Sequence, residues 1–406
     1  MNVQEVEDYY GLSVCRRQAL VVERGLGVWV WDQDGRQIVD FTSGWGVTCL
    51  GHSHPVMVNT IAEQSAKVMQ NPNSGFTYSP ARAALMQELA KVLPEGLSKM
   101  WFANSGAEAN DAALKLARKV TGRQAIVSIG GAFHGRTLAT LSASGGSDNA
   151  ARYLPRLPDH RFAELNNIEE LEQLIDGSVA AVIVELVQGE GGVRPLTSDY
   201  INALQEKCKQ HGCLLIVDEV QTGFCRTGHF FACDRFALTP DMMTLGKGIA
   251  GGLPFAALVM RPEIAARVQL GDHGGTYCGN PLVSAVAAAV VKYLREEQVS
   301  RRVARLSERA LADLKRLKQQ YPDLIQEVRG EGLLLALQLA ASVDVWTFSE
   351  QCLDQGLLVT PTRNGVVRLI PSLLITNDEW QQGVGLLELA LGNLWAQGQW
   401  ASMRSA

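Results

Sequence analysis

Residues 214–223 read LLIVDEVQTG, in which four apolar residues run directly into two carboxylates, Asp218 and Glu219. An apolar run without polar alternation predicts a β-strand that is buried on both faces. Charged groups rarely leave water without a partner. Either this strand ends in solvent, or it ends beside a bound cation.

Three further apolar runs resemble this strand: QAIVSIG (124–130), AAVIVEL (180–186) and FAALVM (255–260). Helical stretches separate the runs, such as residues 199–211 ahead of LLIVDEV. Buried strands that alternate with helices predict an α/β fold with a mainly parallel sheet.

The pattern changes after an apolar helix at residues 280–294. A charged amphipathic helix (301–319) and short strands around Asn364-Gly365 indicate a smaller α+β domain. Residues 28–41 form a predicted hairpin around Asp34-Gly35 that joins this domain. The predicted segments are 1–50, contributing to the small domain, 51–290, the large domain, and 291–406, the C-terminal small domain.

The composition is that of an ordinary globular protein, with 47% hydrophobic and 19% charged residues among 406. The net charge of −5 and the lack of a long basic run make nucleic acid and anionic membranes poor partners. The acidic N-terminus resembles no secretory signal, and no apolar stretch reaches the length of a membrane span.

Eight cysteines without a C-x-x-C pair predict reduced thiols and a cytoplasmic protein, and argue against a structural zinc site. His52 and His54 are the remaining histidine pair of interest, but no third ligand lies near them in the sequence. We therefore predict no metal.

Two glycine-containing stretches could carry chemistry. In NSGAEAN (104–110), Ser105 is a good N-cap and Gly106 permits close approach, so the helix that follows could bind a phosphate, although many capped helices share this pattern. In TLGKGIAGG (244–252), Lys247 is either a solvated loop lysine or an amine with a depressed pKa that can form a Schiff base.

Ligands of open α/β sheets bind beyond the carboxyl ends of the strands, which is where these stretches and Asp218 are expected. Pyridoxal phosphate (PLP) matches all three: its phosphate suits the helix N-terminus, its aldehyde suits Lys247, and its ring nitrogen needs a carboxylate to stay protonated. The pyridinium would then be the cation at the end of the 214–223 strand.

The motifs of the whole chain resemble those of the class III, fold-type I PLP-dependent aminotransferases, especially the acetylornithine and ornithine group. The resemblance implies a large domain with a seven-stranded, mainly parallel sheet, a smaller α+β domain, and a homodimer with active sites at its interface. The matching stretches, in order, are GVWVWDQDGRQIVDF, LGHSHP, SGAEANDAALKLAR, FHGRT, VQGEGG, DEVQTGFCRTG, TPDMMTLGKGIAGGLP, GGTYCGNPL and VVRLIP.

The resemblance also implies individual roles. Lys247 would form the Schiff base and then shuttle a proton, and Asp218 would pair with the pyridine nitrogen. Glu185 and Glu219 are expected to support these residues without contacting the cofactor themselves. The other implied cofactor ligands are Gln221 near the phenolic oxygen, Phe133 on the ring face, His134 at the ring edge, Ser105, Gly106 and Ala107 at the phosphate, and Thr276 at the phosphate of the neighbouring subunit.

Three residues match substrate-binding positions of the family. Arg136 would hold the carboxylate farthest from the reacting amine, Arg368 an α-carboxylate, and Glu190 would pair with Arg368 when no α-carboxylate is bound. A buried arginine left unpaired would be costly, so the pair lets one pocket accept both an ω-amine and glutamate. The resemblance implies ping-pong transfer from a donor such as N2-acetylornithine to 2-oxoglutarate, with ornithine, succinylornithine and 4-aminobutyrate as alternative donors.

Two departures from the family pattern affect the donor: Leu186 stands where proline is usual, and Trp45 where a smaller residue is usual near the substrate entrance. An aminomutase or dialkylglycine-type decarboxylase of the same fold is a second hypothesis, and the Glu190–Arg368 pair argues against the mutase. A non-catalytic PLP-binding protein is a third, and it would need neither Lys247 nor Asp218.

Overall fold

The computed structural model describes residues 1–145 and 152–404. The strands are β1 (Val22–Leu26), β2 (Trp29–Asp32), β3 (Gln37–Asp40), β4 (Lys99–Ala103), β5 (Ala125–Ile129), β6 (His160–Ala163), β7 (Val179–Val184), β8 (Val187–Gln188), β9 (Arg194–Pro195), β10 (Leu214–Asp218), β11 (Met242–Leu245), β12 (Ala256–Met260), β13 (Ile325–Glu331), β14 (Leu334–Leu339), β15 (Leu357–Leu358), β16 (Thr360–Pro361) and β17 (Val366–Leu369). The helices are α1 (Val3–Tyr10), α2 (Ser43–Gly46), α3 (Pro55–Ser65), α4 (Pro80–Ala90), α5 (Gly106–Thr121), α6 (Leu138–Ala143), α7 (Ile168–Leu174), α8 (Ser198–His211), α9 (Ala232–Arg235), α10 (Pro262–Ala265), α11 (Pro281–Glu296), α12 (Val299–Gln320), α13 (Val345–Asp354) and α14 (Asn377–Arg404).

A seven-stranded sheet forms the centre of the molecule, in the order β4-β12-β11-β10-β7-β5-β6. This confirms the predicted α/β class with its mainly parallel sheet. Strand β12 alone runs antiparallel to its two neighbours in this sheet. The segment between β11 and β12 is too short for the crossover that a parallel pair requires, so the chain turns back and pairs antiparallel.

Helix α5 places its first turn at the carboxyl end of this sheet. It packs against β7, β11 and β12, and its buried stripe is small, including Ala109, Ala113 and Val120. Small side chains let a helix approach its sheet closely. The apolar runs of the central strands are buried along their whole length in β7 and β12, as their lack of alternation predicted.

Two smaller sheets join the ends of the chain. The predicted hairpin at residues 28–41 is confirmed by the antiparallel pairing of β2 with β3. Strand β3 also pairs in parallel with β15, so residues near 39 lie beside residues near 357. The second sheet has the order β13-β14-β17-β16, and β17 carries Arg368 opposite Ala336. The domain boundaries at residues 50 and 290 stay a prediction.

The final helix closes the core beside the first sheet. Trp380 of α14 is fully buried and stacks on Phe41, with ring centroids 5.1 Å apart. All eight cysteines are unpaired, which confirms the expectation of free thiols, while the cytoplasmic location stays a prediction. Among the residues described, no helix combines the length and apolar character needed to cross a membrane.

Candidate active site

A cavity of about 500 Å³ lies at the carboxyl ends of the central strands. Strand β10 contributes the Asp218 carboxylate, and the segment after β11 contributes Lys247. The fold therefore brings motifs that are distant in the sequence to one place, as expected for ligand sites at the carboxyl ends of strands in open sheets. The predicted residues that line the cavity are Ser105, Gly106, Ala107, Phe133, His134, Arg136, Glu185, Glu190, Asp218, Gln221 and Lys247.

The N-terminus of α5 forms one wall. Ser105 is the N-cap, and its hydroxyl accepts a hydrogen bond from the Glu108 N–H at 3.2 Å. Gly106 lies so close to Val220 that an added Cβ would be 2.7 Å from Val220 Cγ1. The first N–H groups of a helix carry partial positive charge and have no partner within the helix. This wall can therefore hold an anion such as a phosphate.

The Asp218 carboxylate is held by three donors. Its Oδ2 accepts from Asn110 Nδ2 at 2.7 Å and lies 2.8 Å from His134 Nδ1, while Oδ1 accepts from the Val220 N–H at 3.0 Å. Because an ionised carboxylate only accepts, Nδ1 of His134 carries the proton. A buried carboxylate fixed in this way can face a protonated ring nitrogen without having to reorient.

Asn110 is a residue of this network that the sequence interpretation missed. Its Nδ2 also donates to the His134 carbonyl at 2.8 Å, and its Oδ1 accepts from Thr244 Oγ1 at 2.7 Å. The available signal was a polar residue within the buried alanine stripe of α5, which requires a buried partner. His134, expected at the ring edge, is placed with its Nδ1 on Asp218, and its contact with the cofactor ring stays a prediction.

Lys247 projects into the cavity from a strained backbone, with φ of 44°. Its amine makes no hydrogen bond or ion pair with any residue in the described part of the chain. Burial and, after it, the charge of Arg368 lower the pKa of Lys247 to about 8, although Glu190, Glu185 and Asp218 oppose the shift. A sizeable fraction of the amine is therefore unprotonated near neutral pH and can attack a carbonyl.

Arg368 and Glu190 form an ion pair, with Nη1 and Oε1 2.6 Å apart. The Arg368 side chain is 1% exposed, whereas that of Glu190 is 38% exposed. Gln221 Oε1 accepts weakly from Arg368 Nη1 at 3.4 Å, and Nε and Nη2 of Arg368 are buried without a partner. Burial raises the pKa of Glu190, but Arg368 and Lys247 outweigh it and hold the pKa below its ordinary value.

The other two glutamates have different surroundings. Glu185 accepts from the Phe133 N–H at 2.8 Å and the Gly189 N–H at 3.0 Å, so it fixes the segments that carry Phe133 and Glu190. Burial raises the pKa of Glu185 to about 7; Asp218 adds to the rise and His134 opposes it. Glu219 is buried outside the cavity, where it accepts from the Thr222 hydroxyl and from the Cys233 N–H.

Trp45, Thr276 and Arg368 do not line the cavity of their own chain. Trp45 is 57% exposed with φ of 64°, and its carbonyl accepts from Gln221 Nε2 at 3.5 Å. Thr276 is exposed, and its carbonyl accepts from Gln70 Nε2 at 2.7 Å.

The two histidines considered as metal ligands have other partners. His52 Nε2 lies 2.9 Å from Asp40 Oδ2, and His54 caps α3. Within residues 1–145 and 152–404, no group of three His, Cys, Asp or Glu side chains is arranged to hold a metal ion.

The family model described as aminotransferase class-III matches residues 13–391. The chain belongs to the class III aminotransferases. An acetylornithine aminotransferase from Archaeoglobus fulgidus is 38% identical over 95% of this chain and 100% of its own length. A [LysW]-aminoadipate semialdehyde transaminase from Deinococcus radiodurans is 37% identical over 96% of this chain and 90% of its own length.

Solved structures share the fold over nearly the whole chain. An ornithine aminotransferase from Toxoplasma gondii has a TM-score of 0.92 and 29% identity, covering 98% of this chain and 97% of its own. A second structure of that enzyme, with a TM-score of 0.88 and 30% identity, covers 96% of this chain and 97% of its own and has PLP at partial occupancy in its active site. The fold is therefore that of the fold-type I PLP-dependent transferases.

This class III aminotransferase uses PLP as its cofactor, and the residues of the cavity fit it. The Lys247 amine has no partner among the described residues, the α5 N-terminus offers unpaired N–H groups, and Asp218 is a buried carboxylate at the cavity wall. A side chain at Gly106 would clash with Val220, so only glycine fits where α5 begins at the cavity wall.

Proposed function

We propose that this aminotransferase moves the ω-amino group of N2-acetylornithine to 2-oxoglutarate by a ping-pong mechanism. The observation that carries the proposal is the ion pair of buried Arg368 with Glu190, because Glu190 lines the cavity that also holds Lys247. A site for α-amines alone has no need of a carboxylate on the arginine that binds an α-carboxylate. The name of the Archaeoglobus fulgidus relative supports this donor.

The cofactor, when bound, supplies an electrophilic carbon and a ring that withdraws electrons from the donor carbon. We propose that Lys247 would hold the cofactor through Nζ and that this nitrogen, when free, would take up the proton from the donor carbon. Asp218 keeps a proton on the ring nitrogen. Ser105, Gly106 and Ala107 bind the phosphate.

The remaining cofactor contacts orient the ring. Phe133 packs on the ring face, and Gln221 donates near the phenolic oxygen. His134 and Asn110 position Asp218 rather than touch the reacting atoms. Each of these assignments rests on a side chain that lines the cavity together with Lys247.

Two arginines divide the recognition of carboxylates. While an ω-amine donor is bound, Glu190 stays on Arg368, and the donor's distant carboxylate binds Arg136. The Arg136 guanidinium lies 5.8 Å from the centre of the Phe133 ring and has no ion-pair partner among the described residues. When 2-oxoglutarate binds, its α-carboxylate displaces Glu190 from Arg368. The two unpartnered nitrogens of Arg368 support this exchange.

We propose a homodimer in which Thr276 completes the phosphate site of the neighbouring subunit. Thr276 lies outside its own cavity, and large apolar side chains near it are exposed. A contiguous exposed apolar patch marks an interaction surface. The exposed residues of the segments around it are Phe76, Tyr78, Leu270 and Tyr277.

An absorbance titration tests the donor. The PLP-loaded enzyme is mixed in turn with N2-acetylornithine, ornithine, succinylornithine and 4-aminobutyrate, and conversion of the cofactor to its amine form is followed, then reversed with 2-oxoglutarate. We expect N2-acetylornithine to give the largest rate at low concentration. Ornithine converting faster would favour an ornithine aminotransferase, in line with the Toxoplasma gondii structure. Lys247→Ala is the control, and identical behaviour of this variant would refute the assignment of Lys247.

A further inference from the structure

A second cavity of about 310 Å³ lies behind Glu190. Within the described chain, Phe133 and Glu190 are the residues that line both this cavity and the active-site cavity. The Glu190 carboxylate therefore stands at the boundary between the two spaces. Its side chain therefore borders free space in both cavities.

Two arginines, Arg194 and Arg363, line the second cavity. Neither side chain makes a hydrogen bond or ion pair with another residue in ranges 1–145 and 152–404. The turn that carries Arg363 is fixed on both sides: the Thr362 N–H donates to the Val366 carbonyl at 2.8 Å, and Gln338 Nε2 donates to the Asn364 carbonyl at 2.6 Å. Arg363 is thus held beside the cavity with its charge uncommitted.

Arg363 and Arg368 belong to one continuous segment, the turn before β17 and β17 itself. Glu190 comes from the turn between β8 and β9, across from that segment. The charge of Arg363 already acts on Glu190, because it contributes to the lowered pKa of that carboxyl group. A carboxylate displaced from Arg368 therefore has a second cation within electrostatic reach.

We propose that Arg363 receives the Glu190 carboxylate when an α-carboxylate takes its place on Arg368. Arg363 is then a positioning residue, which stabilises the open form of the carboxylate site without touching substrate. The inference rests on the proposed exchange of Glu190 for an α-carboxylate. Binding of 2-oxoglutarate or glutamate then depends on Arg363, whereas binding of an ω-amine donor does not.

The test measures binding of glutarate, a five-carbon dicarboxylate without a reacting group, to the PLP-loaded enzyme by isothermal titration calorimetry. Arg363→Gln should weaken glutarate binding about two- to fivefold, the range expected for a solvent-exposed ion pair, and the effect should shrink in 0.5 M salt. Arg363→Lys should retain most of the affinity. The half-reaction with the ω-amine donor should keep its rate in both variants.

A double-mutant cycle with Glu190→Gln isolates the contact. In that background, Arg363→Gln should have no effect on glutarate binding. An equal loss there would mean that Arg363 contacts the ligand directly and would overturn the proposal. A loss with Arg194→Gln and none with Arg363→Gln would overturn the choice of arginine.

The single variant Glu190→Gln distinguishes a failure of the proposed function from a failure of the role assigned to Arg363. It should tighten glutarate binding, because the competitor on Arg368 has lost its charge. If it leaves glutarate binding unchanged, the exchange at Arg368 fails and the proposed function loses its main support. If it tightens binding while Arg363→Gln is silent, only the role of Arg363 is refuted.

Discussion

Replacing Asn110 of α5 by alanine should destabilise the protein. Asn110 makes three buried hydrogen bonds, and one of them is to the Asp218 carboxylate. A neutral hydrogen bond contributes about 1 kcal/mol, and one to a charged group contributes about 1.5–3 kcal/mol. Bonds made by one side chain are not independent, so we expect a loss of about 3 kcal/mol in the free energy of unfolding.

The assay is urea unfolding at fixed protein concentration, with and without excess PLP, because both dimerisation and cofactor binding shift apparent stability. The loss should appear in both series, since the network involves only protein groups. PLP affinity should fall about five- to tenfold in addition, because Asp218 loses one of the donors that orient it.

Ser128→Ala is the matched control. Ser128 is fully buried in β5, and its hydroxyl has no hydrogen-bond partner, so its loss should change the free energy of unfolding by less than about 0.5 kcal/mol. An Asn110→Ala variant as stable as this control would refute the reasoning. In the folded Asn110→Asp variant, the new carboxyl group beside Asp218 should have a raised pKa. The variant should therefore lose stability as pH rises and this group ionises.

Three further changes should have measurable effects. Gly106→Ala should weaken PLP binding at least tenfold by forcing a methyl group against Val220, with partial rescue by Val220→Ala; an unchanged dissociation constant would argue against the close approach. On α14, Gly385→Ala should raise the free energy of unfolding by about 0.5–1 kcal/mol, because the added methyl group meets no other atom. Gly383→Ala should lower it by about 1–3 kcal/mol, because its methyl group would lie 2.1 Å from an aromatic carbon of Phe41. Urea titrations in which both variants shift stability in the same direction would contradict this. The rate at which apoenzyme captures PLP should rise about tenfold per pH unit up to pH 8 and then level off, because the pKa of Lys247 is lowered to about 8; a rise that continued to pH 10 would indicate an ordinary lysine.

The parts of the site that the sequence predicted are those with a local signal. Ser105 precedes a helix, Asp218 follows an apolar strand, and Lys247 stands alone among glycines, so each position follows from a few neighbouring residues. The rule that ligands bind at the carboxyl ends of strands then placed them together.

What the sequence did not predict depends on contacts between distant residues. Asn110 meets Asp218 across 108 positions and His134 meets it across 84, and no local pattern announces either pairing. The direction of β12 was also missed, because an apolar run indicates burial on both faces but not the direction of the strand.

The pairing of β3 with β15 has a consequence for the synthesis of the chain. Val39 pairs with Leu357, so its partner strand is synthesised much later. At roughly 5–20 residues per second, the ribosome needs about 15–60 s to produce the intervening segment. During that time β3 offers an unpaired edge, which is a template for pairing with another nascent chain. This edge of β3 is thus open to pairing with other chains until translation is nearly complete.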